Sequence, residues 1–364
     1  MVPKRVAIAL ESATNGWSEP VDGSEEKSSL ANALGLLVRP ESTTELHLVS
    51  VKNRIPAPIP MPSVLSPADR EVFCPADQKL DECARVDHLL RDAASSAVFN
   101  NYRPQSITIH AIDPEGGVRE ALVRFCKEHE IELLILGPVR QSKGISGVLR
   151  ALLGFGSVSE FSLHNLDIPI AVFHGHAGEK GKAHCKGQAA KVLVCVDPAE
   201  SPDSPGSGSL SLLKWVMSSV GNGDVEIHIV SCALRGLGDI VDEECACAIG
   251  EIHQQEDQRD DEMHGLAEAA VYGARRVALD LGLGAKDVYV DVLQADGKDA
   301  SDVVKVLTGY TAKGGFDLVC VGKRGGISGL SRTLNHWLGD GSVSDMLSKE
   351  SAIPTLIVVP DSLI

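Results

Sequence analysis

A glycine-rich segment near the C-terminus carries the residue types that hold phosphate groups. Gly322-Lys323-Arg324-Gly325 follows an apolar stretch, and Gly341-Ser342-Val343-Ser344 opens a predicted helix nineteen residues after Gly322. Glycine lets the backbone approach a ligand, the cations attract anions, and hydroxyls and a helix N-terminus supply hydrogen-bond donors. The segment therefore predicts an anion-binding loop. A purely structural interpretation, in which the serines cap a helix and the glycines turn the chain, stays open.

An acidic residue ends the first apolar run of the same half of the chain. The run from Val192 to Val196 is followed directly by Asp197. In an open sheet wound in both directions, ligands lie beyond the carboxyl ends of the strands, at the point where the strand order reverses. For five strands in the order 3-2-1-4-5, that point falls between the first and fourth strands. We therefore expect Asp197 and Gly322 to lie close together.

The chain contains an internal duplication. Three pairs of landmarks share one offset of 185 residues: Gly137 and Gly322, Gly156 and Gly341, and Pro169 and Pro354. A period of this length indicates a duplicated domain, because solenoid repeats have periods of about 20 to 50 residues. Duplication would copy a structural loop as faithfully as a binding loop, so the repeat does not identify a ligand.

Short apolar runs alternate with stretches of helical period in both halves, which is typical of a parallel sheet covered on both faces. The sequence predicts an α/β protein of two tandem doubly wound domains, each with a five-stranded parallel sheet. We expect the first domain over residues 1–175, a glycine-rich charged linker over 176–188, and the second domain over 189–364. In the second half the predicted helices cover residues 209–220, part of 250–282, 299–310 and a segment from about 342. Its second and third strands are predicted over residues 225–230 and 288–292.

Composition excludes several classes of protein. Among 364 residues, Asp and Glu outnumber Lys and Arg by 50 to 34, and the net charge of −16 is the wrong sign for binding nucleic acid through phosphates. No apolar run approaches the roughly 18 residues of a membrane span. The nine cysteines are an odd number and several fall in apolar runs, which predicts reduced thiols and a cytoplasmic location. The N-terminus enters its first apolar run at once and predicts no signal peptide.

Both halves carry an insertion after the second strand. The first is proline-rich, from Ile55 to Pro62, and the second holds ten carboxylates against two arginines in residues 233–262. Four side chains near the second could share a helix face and bind a cation: His253, Asp257, Asp261 and His264. We favour a solvated helix face, and neither this group nor the histidine-containing linker has the spacing of a zinc site. No metal is expected.

The glycine loop resembles that of the universal stress proteins, a family with the nucleotide-binding α-hydrolase-like fold. Its nucleotide-binding branch has Gly, two residues, Gly, nine residues and Gly-Ser or Gly-Thr after strand 4. Here Gly322, Gly325, Gly341 and Ser342 match, with fifteen residues instead of nine in the second gap. The resemblance implies ATP or a related adenine nucleotide, with or without Mg²⁺. It places Asp197 at the adenosine, the backbone near Val230 at the adenine, and the loop at the ribose and phosphates. We add Arg324 to this loop because its positive charge would attract a phosphate.

The first half departs further from this pattern. Arg140 stands where the family has its second glycine, and Glu11 stands where it has aspartate. The counterparts that would complete a weaker or empty site are Val49, Gly137, Gly156 and Ser157. A looser resemblance, in Gly329-Leu330 through Trp337-Leu338-Gly339, is to the cytosolic regulatory tails of plant-type cation/proton exchangers.

Motifs of the common enzyme classes are missing, including the Walker A, Gly-x-Gly-x-x-Gly, His-Glu-x-x-His and Gly-x-Ser-x-Gly patterns. We expect a nucleotide-binding regulatory protein with at most slow ATP hydrolysis. A nucleotide-free scaffold and a weak phosphohydrolase are the alternatives. The resemblance also implies dimerisation through the last strand of each domain. Residues 170–173 and 355–359 could therefore pair within one chain or in a homodimer.

Overall fold

The computed structural model describes thirteen segments of the chain. They are residues 3–10, 29–38, 43–52, 75–99, 101–137, 158–173, 190–198, 208–220, 225–235, 249–297, 300–323, 343–351 and 353–358. The chain divides into two compact units. The first unit comprises Pro3–Leu34 and Pro40–Leu166, and the second comprises Met1–Val2, Gly35–Arg39 and Asp167–Ile364.

The first unit contains a parallel sheet of four described strands. In chain order these are β1 (Arg5–Ala9), β2 (Glu45–Val51), β3 (Ile107–Ile112) and β4 (Leu133–Leu136). Their spatial order is β3-β2-β1-β4, with all neighbours parallel. The helices of this half are α1 (Ser29–Leu37), α2 (Pro75–Phe99), α3 (Val118–Glu128) and α4 (Val158–Asn165).

The second unit contains β5 and the five strands of the second half. They are β5 (Ile170–Val172), β6 (Ala190–Cys195), β7 (Val225–Arg235), β8 (Val288–Asp296), β9 (Leu318–Gly322) and β10 (Thr355–Val358). The five strands of the second half lie in the order β8-β7-β6-β9-β10 and are all parallel. Their helices are α5 (Gly208–Ser219), α6 (Ile249–Asp280), α7 (Ala300–Gly314) and α8 (Val343–Glu350). The predicted doubly wound α/β fold and the order 3-2-1-4-5 are thus confirmed for this half.

Strand β5 is the last strand of the first half but belongs to the second unit. It pairs antiparallel with β10, so that Ile170 lies opposite Ile357 and Val172 opposite Thr355. On its other side β10 pairs with β9 in the parallel sense, with Ile357 opposite Val321. The last strand of the chain is therefore hydrogen-bonded on both edges, and no edge of β10 is left as a template for aggregation.

Burial explains why these segments form strands. Every residue of β4, β5 and β10 is buried, as near-continuous apolar runs require when both sheet faces are covered. The edge strands differ: no residue of β3 is buried, and in β8 only Val288 and Ala295 are, the other residues being exposed or partly buried. Helix α3 is strongly amphipathic and buries Leu122, Phe125 and Cys126.

The four helices predicted in the second half are present, with bounds that differ by a few residues from the prediction. Strands β7 and β8 are longer than their predicted segments, which ended at Val230 and Val292, and run to Arg235 and Asp296. The first part of the acidic insertion is therefore strand, and its last part belongs to α6. The proline-rich segment 55–62 lies outside the described residues. Among the helices that the structure describes, none is long and apolar enough to cross a membrane.

Replacing Ile357 with alanine tests how much the shared strand contributes to stability. The Ile357 side chain is fully buried, and its strand β10 lies between β5 and β9. Ile357→Ala should lower the free energy of unfolding by about 2 to 5 kcal/mol, since truncation leaves a cavity in a packed core. Urea denaturation measures this change. The control Tyr272→Ala removes an exposed side chain and should change stability by less than about 0.5 kcal/mol. Equal effects of the two substitutions would contradict the packing described.

Candidate functional site

A cavity opens at the carboxyl ends of β6, β7 and β9 in the second unit. Its volume is about 110 Å³, and it is open to solvent at its mouth. The strand order reverses beside β6, which lies between β7 and β9. In an open doubly wound sheet, a reversal of strand order leaves a crevice at the carboxyl ends of the strands.

Four of the predicted site residues line this one cavity. They are Asp197, Val230, Gly322 and Ser344. The other four predicted for the second half, Arg324, Gly325, Gly341 and Ser342, lie outside the described residues. The structure therefore brings together the predicted ends of strands 1, 2 and 4 with the first turn of the last helix.

The predicted first-half site is described only in part. Val49 is buried on β2, and Gly137 directly follows β4. The equivalence of Val49 and Val230 is visible in the backbone. The N–H of Leu10 donates to Val49 O at 2.7 Å, and the N–H of Val196 donates to Val230 O at 2.8 Å. Glu11, Arg140, Gly156 and Ser157 lie outside the described residues.

The peptide group that precedes Asp197 is held by a serine on each side. Ser231 Oγ on β7 donates to the carbonyl oxygen of Val196 at 3.0 Å, and the N–H of Asp197 donates to Ser209 Oγ at 3.2 Å. The carbonyl of Val196 and the N–H of Asp197 belong to one peptide unit. This plane is therefore fixed at both ends, which sets the direction in which the chain and the Asp197 side chain leave β6.

One wall of the cavity is apolar. Val230, Cys232 and Leu234 line it from β7, where side chains two residues apart share a face. Val303 and Leu307, one helical turn apart on α7, and Met263 on α6 complete it. None of these residues except Val230 is among the site residues predicted from the sequence. The apolar alternation that continues past Val230 is the signal that could have found Cys232 and Leu234.

The polar groups of the lining lie toward the strand ends. They are Asp197, Ser209, Ser344 and the backbone at Gly322. Ser344 stands in the first turn of α8 and is only 4% exposed. A methyl group added at Gly322 would meet no atom within 4 Å, so the space beside this residue is open. An apolar wall with a few convergent polar groups is typical of small-molecule sites.

Three thiols lie at or beside the cavity on adjacent strands. Cys195 and Cys232 line it, and Cys320 is buried on β9. Burial raises the pKa of Cys232 to about 12 and raises the pKa values of Cys195 and Cys320 well above the ordinary range. Thiols of this kind are protonated at neutral pH and act as small apolar groups, because only the thiolate is a good nucleophile or metal ligand.

The candidate cation group on α6 is only partly described. Asp261 and His264 lie on the described part of the helix surface, whereas the side chains of His253 and Asp257 are outside the described residues. His264 Nε2 lies 3.7 Å from Glu268 Oε1, one turn further along. Among the described residues, no group of three or more His, Cys, Asp or Glu side chains is arranged to hold a metal ion.

Comparisons with solved structures agree with the fold. No protein-family model and no curated protein sequence matches the chain. A structure described as a universal stress protein from Pseudomonas aeruginosa UCBPP-PA14 matches with a TM-score of 0.51 and 12% identity, over 100% of this chain and 95% of that one. A protein of unknown function from Pseudomonas aeruginosa PAO1 matches with a TM-score of 0.50 and 13% identity, over 99% and 94%.

A third match is a universal stress protein in complex with cAMP. It has 18% identity and covers 48% of this chain and 99% of its own length, with a TM-score of 0.27. The TM-scores of the first two matches are high enough to show a shared fold. The chain therefore has the universal stress protein fold.

The state of the cavity thiols can be tested by alkylation. In the native protein at pH 7.5, iodoacetamide should modify Cys195, Cys232 and Cys320 about a hundredfold more slowly than in the guanidinium-unfolded chain, because burial suppresses the thiolate. Mass spectrometry of tryptic peptides gives the three rates separately. Similar rates in the native and unfolded protein would show that these thiols are reactive and would contradict the apolar description of this wall.

Proposed function

We propose that this chain is a nucleotide-binding regulatory protein of the universal stress type, with an adenine nucleotide held at the cavity of the second unit. One observation carries the proposal. Asp197, Val230, Gly322 and Ser344 were predicted from the sequence for nucleotide binding, and all four line one cavity where the strand order reverses. A structural loop would not require these four residues to converge on an open space.

The two sides of the cavity suit the two ends of a nucleotide. The wall of Val230, Cys232, Leu234 and Met263 offers apolar surface to a flat base. The Asp197 carboxylate can accept hydrogen bonds from ribose hydroxyls. Toward the other side, Ser344 and the backbone of the first turn of α8 can donate to phosphate oxygens at the positive end of the helix dipole.

The lining residues could hold Mg²⁺ only together with a bound nucleotide. Asp197 is the one carboxylate among the described lining residues. Mg²⁺ commonly takes one or two carboxylates together with substrate phosphates and retained waters. A bound nucleotide would therefore supply most of the ligands, with Asp197 as the protein's contribution.

The remaining parts of the proposal rest on the sequence. The tandem domains are residues 1–175 and 189–364, joined by the linker 176–188, and the first is the weaker or empty site. The four described cysteines, Cys126, Cys195, Cys232 and Cys320, are all free thiols, which supports the proposed cytoplasmic location. The pairing of β5 with β10 within one chain supports an intramolecular counterpart of a last-strand dimer.

A substitution that fills the cavity tests the binding function directly. Gly322→Val adds a side chain beside the strand end, where the neighbouring space is open, so the protein should fold normally and lose ligand space. We expect the wild-type protein to bind ATP or AMP in isothermal titration calorimetry and to release an adenine nucleotide on denaturation. Gly322→Val should weaken binding at least about tenfold, which equals about 1.4 kcal/mol.

The matched control is Gly309→Ala on α7. An added methyl group at Gly309 also meets no atom within 4 Å, but this residue does not line the cavity. Its nucleotide affinity should equal that of the wild type. If the wild-type protein neither retains nor binds adenine nucleotides, the nucleotide-free scaffold replaces the present proposal. Steady phosphate release that Asp197→Asn abolishes would instead establish a phosphohydrolase.

A further inference from the structure

The two units share a polar motif at the end of the sheet opposite the cavity. Strand β2 carries Glu45 and His47, and β7 carries Glu226 and His228 at positions 181 residues later. Each motif lies near the start of the second strand of its half. A basic residue accompanies each one, since Arg5 Nε lies 3.5 Å from Glu45 and Lys191 Nζ lies 3.4 Å from Glu226.

In the first unit, two further histidines pack around this motif. His47 Nδ1 lies 3.0 Å from His110 Nε2 on β3, and the two rings are stacked with centroids 5.2 Å apart. The ring of His129, which follows α3, lies 5.6 Å from His47 and 5.0 Å from His110. Phe125 of α3 contacts all three rings. We call His47, His110 and His129 the histidine triad.

The nitrogen contact between His47 and His110 limits how many protons the triad can hold. Only one hydrogen can lie between Nδ1 of His47 and Nε2 of His110, so one ring donates and the other accepts. If both rings were charged, two N–H groups would face each other at 3.0 Å and the hydrogen bond would be lost. His47 is 8% exposed, and its Nε2 has no hydrogen-bond partner among the described residues, so solvent does little to stabilise the charge.

The charged groups around the triad do not offset the cost of charging both the His47 and the His110 ring. Burial, and then the neighbouring His47 and His129, lowers the pKa of His110 to about 4. Burial also lowers the pKa of His47, with His129 and Arg5 acting in the same direction and Glu45 opposing them. Glu45 Oε2 is 3.9 Å from His47 Nε2 and also pairs with Arg5, which pairs in turn with Glu130.

Helix α2 also packs against β2 and β3. Among the described residues, none of its ionisable groups acts on His47 or His110. Besides the triad histidines, the charged groups that act on His47 are therefore Arg5 and Glu45, and Glu130 is linked to them through its ion pair with Arg5. Only one of these carboxylates lies close enough to His47 to favour its charged form.

The second unit has the same motif without the triad. His228 Nε2 lies 2.6 Å from Glu226 Oε1, and the neighbouring rings are Tyr289 and Phe316, with centroids at 4.6 and 4.9 Å. Burial lowers the pKa of His228, but the hydrogen bond to Glu226 opposes this. A single histidine beside a carboxylate can accept a proton without a second imidazole facing it. The second unit can therefore serve as an internal control for the histidine triad.

We propose that the histidine triad is an acid-sensitive lock that holds the end of α3 against β2 and β3 in the first unit. The lock is closed while the His47 and His110 rings share one proton and opens when both rings must be charged. The direction follows from proton uptake. The unfolded chain binds protons at histidine near pH 6.5, whereas the packed His110 does so only near pH 4. The packed form therefore loses stability as the pH falls from 6.5 toward 4.

Hydrogen exchange measured by mass spectrometry tests the lock in the full chain. Exchange is recorded at pH 7.5 and 5.0 and corrected for the intrinsic pH dependence of the amide rate. The opening constant of peptides from β2, β3 and α3 should rise about tenfold more at pH 5.0 than that of peptides from β7, β8 and α7. An equal response of the two units would overturn the proposal.

Two substitutions locate the effect. His110→Gln keeps a side-chain acceptor for the His47 ring but cannot take up a proton, so it should reduce the pH response of the first unit to that of the second. His228→Gln in the second unit should leave the first unit's response unchanged. A first-unit response that persists in His110→Gln would overturn the proposal. If that variant does not fold, NMR titration of the wild-type histidines decides, since pKa values near 6.5 for both His47 and His110 would exclude the lock.

Discussion

The reversal of strand order beside β6 is the constraint on which the second unit depends. Because β6 lies between β7 and β9, its carboxyl end is flanked by the ends of two strands that follow it in the chain, and a reversal of this kind leaves a crevice at the strand ends. The Val196–Asp197 peptide unit is fixed there by Ser231 and Ser209. The cavity, its apolar wall on β7 and the position of Ser344 on α8 all follow from this arrangement.

The sequence predicted the layout of this edge better than its walls. Asp197, Gly322 and Ser344 could be placed at this edge because a carboxylate, a glycine and a helix-capping serine stand out beside apolar runs, whereas Val230 was named only through the family resemblance. Cys232, Leu234 and Met263 were not predicted, because apolar side chains have no distinctive chemistry, and the alternation that marks Cys232 and Leu234 continues past the predicted end of the strand. Strand β7 runs five residues beyond its predicted end into a segment interpreted as an acidic insertion. Because the segment was judged by its overall acidic composition, the alternation of apolar residues at its start was overlooked.

Duplication preserved the backbone more faithfully than the side chains around it. The hydrogen bonds from Leu10 to Val49 and from Val196 to Val230 are counterparts, and Glu-x-His occurs on the second strand of both halves. The surroundings of that histidine have diverged, with imidazoles in the first unit and aromatic rings in the second. Sheet register constrains main-chain groups, whereas a side chain on an edge strand or at a helix end can change with little effect on the fold. Functional differences between the halves are therefore expected in such positions.

The groups that line the cavity are suited to holding a ligand. General base catalysis works best with a group whose pKa lies near the working pH. Among the described lining residues there is no histidine, and the thiols are kept protonated by burial. Hydroxyl groups, one carboxylate and an apolar wall can hold a ligand without transforming it. A ligand held in this way influences the protein only through its different affinity for alternative conformations. The consequence of binding must therefore be sought in what the ligand orders around the strand ends and the start of α8.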